Sequence, residues 1–549
     1  MRRRNPAVPL FLAAAGLGLV LVGYGISRNS TSNADNASLI HQDVSAPAPA
    51  STAPTVKGGS GVWTGDAAPV DASAESSAPC PNCDIVVITM CSLRQDYVSA
   101  YGVHPGLTPR IDSLGDGGYR FTQAYAASNF TLAGLTAVLT GRYGSTTGVT
   151  GWDKGLVADV PTLPEILGHY GYHTAAFTID APSGFRPDYG LQRGFERMEI
   201  LPPPRDTPDG RTGAGKPGPG GDSARPVAAW LAEQPTDHPI FAMFHSRTAH
   251  FPFVLEPPTD DPTGVLQALY DAGQGQKTDR AMPGTAGGTS QRGVVELGGP
   301  DPVQVAMKKA GAAGDVVWRE AYARAVARAD VDVGVVLDAI AARGRPTVVL
   351  LVADHGESLN DHGELLHGDA YWDTVVRVPL LMRIPGMSGG TVDSLVSHVD
   401  LLPTLLRVVG AMPPAGIDGT SLLPLLNGET DTVRGTTLVE GGVAWRDEAV
   451  PRGAVIAPPW ALLRQDRGCN SADTLRKPGE PASCLYDMVA DPGQEKNVAA
   501  QHADTVKELL ERWDSFRAAR AGQARQLELD PAYVEELHRT GYDFRVGGK

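Results

Sequence analysis

The chain has 549 residues, 42% of them hydrophobic, and a formal net charge of −15. That length and apolar content allow one large α/β domain with a smaller lobe, or two or three ordinary domains. The acidic balance is spread along the chain and argues against a nucleic-acid binder or an anionic-membrane surface. Any site for an anion must therefore work through metal ions and a few Arg or His residues.

Arg2, Arg3 and Arg4 precede an apolar run over residues 9–26, close to the minimum that spans a bilayer as a helix. The arginines favour a cytoplasmic N-terminus. A cleaved signal peptide and a retained anchor both fit. No A-x-A-like site comes directly after the run, which favours a retained single-pass anchor over residues 1–27 and an extracytoplasmic remainder, periplasmic in a bacterium. Residues 28–79 are rich in Ala, Ser, Pro, Thr and Gly and read as a disordered tether.

The globular part then begins at Asp84 with an apolar strand, IVVITM. Further β-rich runs cover 173–179, 240–245, 347–353 and 378–383, and helical patterns cover 163–170, 318–342 and 398–409. This alternation predicts a mostly parallel sheet with helices on both faces, and in such sheets sites form at the carboxyl ends of strands. Low-complexity stretches at 202–223 and 271–302 read as surface insertions. Of five cysteines, Cys80 and Cys83 form a lone C-x-x-C, either a small disulfide or nothing. Cys469 and Cys484 flank a loop and could pair; Cys91 is the odd thiol.

The strongest local signal is TVVLLVADHGE, residues 347–357. An apolar strand ends in Asp354 and His355, which offer one oxygen and one nitrogen ligand to a metal ion. The blander alternative is a capping Asp and a hydrogen-bonded His in a turn. His362 and His367 come next in a polar loop, and FHSRTAHFPF brings His245 and His250 after the strand at 240. Clustered histidines beside a metal can orient substrate or donate a proton. In SNFTLAGLTAVLTGRYG, Leu132, Leu135, Val138 and Leu139 recur at helical spacing, which places Thr131 at or near a helix N-terminus. It is either an N-cap or a nucleophile at an anion-stabilising helix end.

In order and spacing, these segments resemble the sulfatase family of the alkaline phosphatase superfamily. SLRQDYVSAYG is similar to the family's opening segment, TLAGLTAVLTGRY to its nucleophile segment, and FHSRTAHFPF to its D-P-H-x-P-Y segment. VADHGE resembles the family's metal strand, and RVPLLMRIPG the strand segment after it. HVDLLPTLLRVVG resembles the closing core helix, and CLYDMVADPGQEKNVA a run of the small C-terminal lobe. The resemblance implies an alkaline-phosphatase-like α/β sandwich, with a catalytic domain over 80–440 and a C-terminal α+β subdomain over 441–549. It implies Asp354 and His355 as metal ligands, Thr131 as nucleophile and ligand, and His250 and His367 as contacts to the ester; Arg94 would hold the surrounding loops. One divalent ion (zinc, manganese or calcium) is expected, with a sulfated or phosphorylated small molecule, glycan or lipid as substrate.

Two departures bear on the chemistry. Thr131 cannot become formylglycine, and Ala133 and Leu135 stand where the family's Pro and Arg belong. This leaves attack by the threonine itself. Cys91 stands where the family places an acidic metal ligand. A thiolate suits zinc better than calcium, magnesium or manganese, so the site is either a Cys–Thr–Asp–His zinc site or a weakened or dead one. Asp96, five residues on, reads as structural. A catalytically impaired member that binds a glycan or envelope ligand is the alternative to an esterase.

Overall fold

Between Asp84 and Met90 the chain carries only Ile, Val and Thr side chains, and a strand of that composition has to be covered on both faces. All seven of its residues are buried at the centre of an eight-stranded sheet. The computed structural model describes residues 78–179, 184–201, 221–254, 257–278, 302–368, 370–441, 451–465, 469, 482–520, 522–529 and 531. All fall within one unit, Ser60–Lys549. From one edge the strands run Gly390–Val392, Tyr119–Phe121, Leu380–Arg383, Thr347–Ala353, Asp84–Met90, Ile240–Ser246, His173–Ile179 and Arg197–Leu201. Only Leu380–Arg383 is antiparallel to its neighbours; the other pairs are parallel. The sheet is the expected mostly parallel one.

The buried N-terminal end of the sheet is tied by charge. Asp84, fully buried, accepts from Arg343 Nε at 2.7 Å, Arg345 Nε at 3.0 Å and the Ile240 N–H at 3.0 Å. A buried carboxylate persists only when paired in this way.

The helix expected over 318–342 is longer, Ala312–Arg343, and ends on Gly344 in the left-handed region. The pattern over 398–409 divides into a 3-10 turn, His398–Asp400, and a helix, Leu401–Val408, because Ser397 and Asp400 form a capping box that turns the chain first. The segment read as an insertion over 271–302 is helical at its start. Val265–Thr278 is a helix whose Val265 and Leu269, one turn apart, are buried. Residues 279–301, and 202–220 of the other insertion, lie outside the described residues.

A second sheet is antiparallel throughout, in the order Thr437–Glu440, Gly453–Ala457, Trp460–Gln465 and Ala482–Asp487. The helix Ala503–Ala518 buries Leu509 and Trp513 against Val455, Leu462 and Leu485 of that sheet. Cys80–Cys83 and Cys469–Cys484 are disulfides, and Cys91 is free and buried. Among the described residues no helix is long and apolar enough to cross a membrane. The anchor expected over 1–27, and the tether up to residue 77, lie outside the described residues.

Candidate active site

Three neighbouring strands end together. Met90 pairs with Ala353 on one side and Ser246 on the other, and Thr89 lies opposite His245. Cys91 and Asp354 are therefore the first residues past two adjacent strands, and His245 reaches the same end from the third. The helix Thr131–Thr140 closes on this point through Gly134: a Cβ there would lie 2.8 Å from the Asp354 carbonyl oxygen. The N-cap of that helix is Phe130, which makes no side-chain cap bond. Thr131 is thus the first helical residue and not the cap. Its Oγ1 lies 3.2 Å from His355 Nε2 and 3.5 Å from Cys91 Sγ.

The hydrogen bonds fix the tautomers. His355 Nδ1 donates to the Gly356 carbonyl at 2.8 Å, so in the neutral ring Nε2 carries the lone pair. Burial pushes His355 down to about 4 and His367 down to about 3, in each case against the pull of Asp354. His245 is likewise pushed down to about 4 by burial against Asp354. All three are neutral imidazoles near pH 7. Burial by itself would raise Asp354, but His355, His245, His367 and the Ser92 N–H outweigh it and hold the carboxyl below its usual range. Burial, then Asp354, pushes the Cys91 thiol well up.

His367 Nδ1 meets Glu357 Oε1 at 3.0 Å, both side chains fully buried. Burial raises Glu357 to about 8, so the pair retains one transferable proton near neutrality. The His367 ring lies 4.2 Å from that of His355 and 5.2 Å from that of His250. His250 Nδ1 donates to the Phe251 carbonyl at 2.7 Å, leaving Nε2 to accept from Arg247 at 3.4 Å. The structure therefore places Thr131, Asp354, His355, His367, His250 and Cys91 near one another. It does not bring His362 to them: that ring stacks on Trp372 at 3.8 Å. Arg94 holds loops, bonding Asp96 at 2.9 and 2.7 Å, Asp361 at 2.5 Å and the Glu357 carbonyl at 3.2 Å. Asp96 is engaged there and does not stand in for the missing acidic ligand.

The sequence left the choice between His245 and His250 open and did not single out Glu357 or Arg247. The signals were present: His245 is the sixth residue of an all-buried strand, where an imidazole needs a reason. Glu357 comes directly after the Asp-His-Gly turn. For a cation, Cys91, His245 and Asp354 present ligand atoms within 4.8 Å of one another. His245 Nε2 and Asp354 Oδ2 are buried without hydrogen-bond partners. These residues fit a metal ion. His355 Nε2, 3.6 Å from Asp354 Oδ2, stands beside that trio.

The sulfatase family model matches residues 84–411. The chain belongs to the sulfatase family. It is 25% identical over 497 residues to the Delta 4,5-hexuronate-2-O-sulfatase of Bacteroides thetaiotaomicron, covering 84% of this chain and 95% of that protein. It is also 25% identical over 436 residues to the ulvan-active sulfatase of Formosa agariphila, covering 75% and 78%. Among solved structures, a 2-O GAG sulfatase superposes with a TM-score of 0.59 at 22% identity, covering 82% of this chain and 96% of that one. The phosphonate monoester hydrolase of Agrobacterium radiobacter gives 0.56 at 21%, covering 82% and 98%. The shared fold is the alkaline-phosphatase-like α/β architecture. Sulfatases are generally metal-dependent, and the trio of buried ligand atoms lies where this sheet ends.

Proposed function

We propose that this sulfatase-family chain hydrolyses a sulfate or phosphate ester carried on a sugar, with Thr131 Oγ1 as the attacking atom. The observation that carries the reading is the 3.2 Å approach of Thr131 Oγ1 to His355 Nε2, whose other nitrogen is committed to the Gly356 carbonyl. The hydroxyl proton passes to His355 as a bond forms from Oγ1 to sulfur or phosphorus. The ester bond breaks, and the leaving oxygen takes a proton from the His367–Glu357 pair. Water then attacks the same centre and gives its proton to that pair. Thr131 leaves, recovering its proton from His355. Arg247, held by His250 Nε2, orients the anionic oxygens. Cys91, His245 and Asp354 would hold a divalent ion (zinc, manganese or calcium), which would supply a positive centre for the negative charge on the ester. An acceptor alcohol in place of water would make the same site a transferase.

The relatives that act on hexuronate sulfate and ulvan support a glycan substrate. Two disulfides support an oxidising, extracytoplasmic setting, with residues 1–27 as the single-pass tether to the cell membrane. Cys91 in place of an acidic ligand favours a second reading, a non-catalytic member that binds a glycan or envelope ligand. The two separate on the full chain assayed with 4-nitrophenyl sulfate and 4-nitrophenyl phosphate. Thr131→Val should abolish turnover and Thr131→Ser should retain part of it. Quenched wild type should carry one sulfuryl or phosphoryl group on the Thr131 peptide. Turnover unchanged in Thr131→Val would overturn attack by Thr131. No turnover in wild type would leave the binding reading.

A further inference from the structure

We propose that the cleft is a zinc site whose ligands are Cys91 Sγ, His245 Nε2 and Asp354 Oδ2, with His355 serving Thr131 and not the metal. The three donors come from the ends of three adjacent strands, all fully buried, with their ligand atoms within 4.8 Å of one another. Two of them are already aimed. The Thr89 hydroxyl lies 3.5 Å from the Phe244 carbonyl and donates toward it, so its oxygen accepts from His245 Nδ1–H at 2.9 Å. That commits the proton to Nδ1 and turns the Nε2 lone pair, which has no hydrogen-bond partner, into the cluster. Such a bond to the far nitrogen is how proteins orient metal-binding histidines. Asp354 Oδ1 is occupied by the N–H groups of Ser92 at 3.2 Å and His355 at 2.8 Å, and Oδ2 is the atom left over. A buried acceptor with no partner costs roughly 1–3 kcal/mol, and two of them, His245 Nε2 and Asp354 Oδ2, are buried in this cluster beside Cys91.

The donor types select the ion. Calcium needs about six to eight oxygens and magnesium a near-octahedral oxygen set. This cluster offers one carboxylate, one imidazole and one thiol. Sulfur, nitrogen and oxygen from three side chains, with a fourth position open, is the pattern of a catalytic zinc site. Thr131 Oγ1 lies 3.5 Å from Cys91 Sγ, beside the cluster. His355 Nε2 lies outside the trio and nearer to Thr131, at 3.2 Å, than to Asp354 Oδ2, at 3.6 Å.

The inference rests on the ester-hydrolase reading only for what fills the fourth position; metal choice is read independently of turnover. The experiment equilibrates the metal-stripped full chain with equal zinc, manganese, calcium and magnesium, removes free ions and measures bound metal by mass spectrometry. About one zinc per chain is expected. Cobalt substitution should give a sulfur-to-cobalt charge-transfer band that Cys91→Ser removes. Cys91→Asp should keep a metal but move the preference toward manganese or calcium, a gain that misfolding cannot mimic. Thr89→Val should weaken zinc binding roughly 10–100-fold, and His245→Leu by more, while His355→Gln should leave zinc content unchanged. Manganese, calcium or magnesium bound in preference to zinc by the wild type overturns the proposal. So does full zinc content in a folded His245→Leu variant. A zinc-loaded chain that turns over no ester supports this inference and fails the hydrolase reading; an active manganese or calcium enzyme does the reverse.

Discussion

Replacing Gly134 by Ala tests how closely the Thr131 helix is held to the Asp354 strand. A Cβ at 134 would sit 2.8 Å from the Asp354 carbonyl oxygen, about 0.6 Å short of the 3.4 Å at which ordinary contact begins. The obstacle is backbone in the middle of the site, so the helix must move. Overpacking of this kind costs about 1–3 kcal/mol. The better helix propensity of Ala returns about 1 kcal/mol. The net expectation is a loss of about 0–2 kcal/mol in urea unfolding monitored by tryptophan fluorescence. The larger effect falls on turnover. Thr131 is one helical turn from Gly134, and a misplacement of about 1 Å can cost about 100-fold. A shift of about 0.6 Å should then lower kcat/KM on a 4-nitrophenyl ester roughly tenfold or more. A Gly134→Ala protein stabilised by about 1 kcal/mol, with unchanged kcat/KM, would refute the close approach.

Two further outcomes concern stability. Burial by itself would raise Asp361, yet Arg94, the Leu359 N–H and Arg319 lower it from 3.8 to about 2. A carboxylate with a depressed folded pKa stabilises the protein above its unfolded value and loses that contribution as pH falls through the folded one. Asp361→Asn should therefore cost about 2 kcal/mol at pH 5–7, and the difference from wild type should shrink from about pH 4 towards pH 2. A cost that is the same at pH 3 as at pH 7 would show that charge is not its source. The Cys469–Cys484 disulfide closes a loop with a sequence separation of 15, worth about 3 kcal/mol through the unfolded chain. Its reduction, verified by thiol counting, should lower Tm, and an unchanged Tm would refute that contribution.

The sequence by itself determined the framework. The strands over 173–179 and 347–353 lie where the apolar runs place them, because a residue run without charged side chains can only be covered on both faces. It also determined that Asp354 and His355 stand at a strand end, since chain neighbours remain neighbours in any fold. Leucine spacing placed the start of a helix at Thr131, but not whether its side chain caps the helix. That depended on Phe130 occupying the cap position and on Gly134 letting the helix close on Asp354. The helix at Val265–Thr278 was hidden by Gly- and Gln-rich composition and is held by the burial of Val265 and Leu269. Only the tertiary structure separated His245 from His250 and His362 as the histidine beside Cys91 and Asp354. Residues more than a hundred positions apart in the chain meet because strand register aligns Thr89 with His245 and Met90 with Ala353. A one-residue slip would turn a strand's side chains to the other face, and here the register joins strands that lie far apart in the chain.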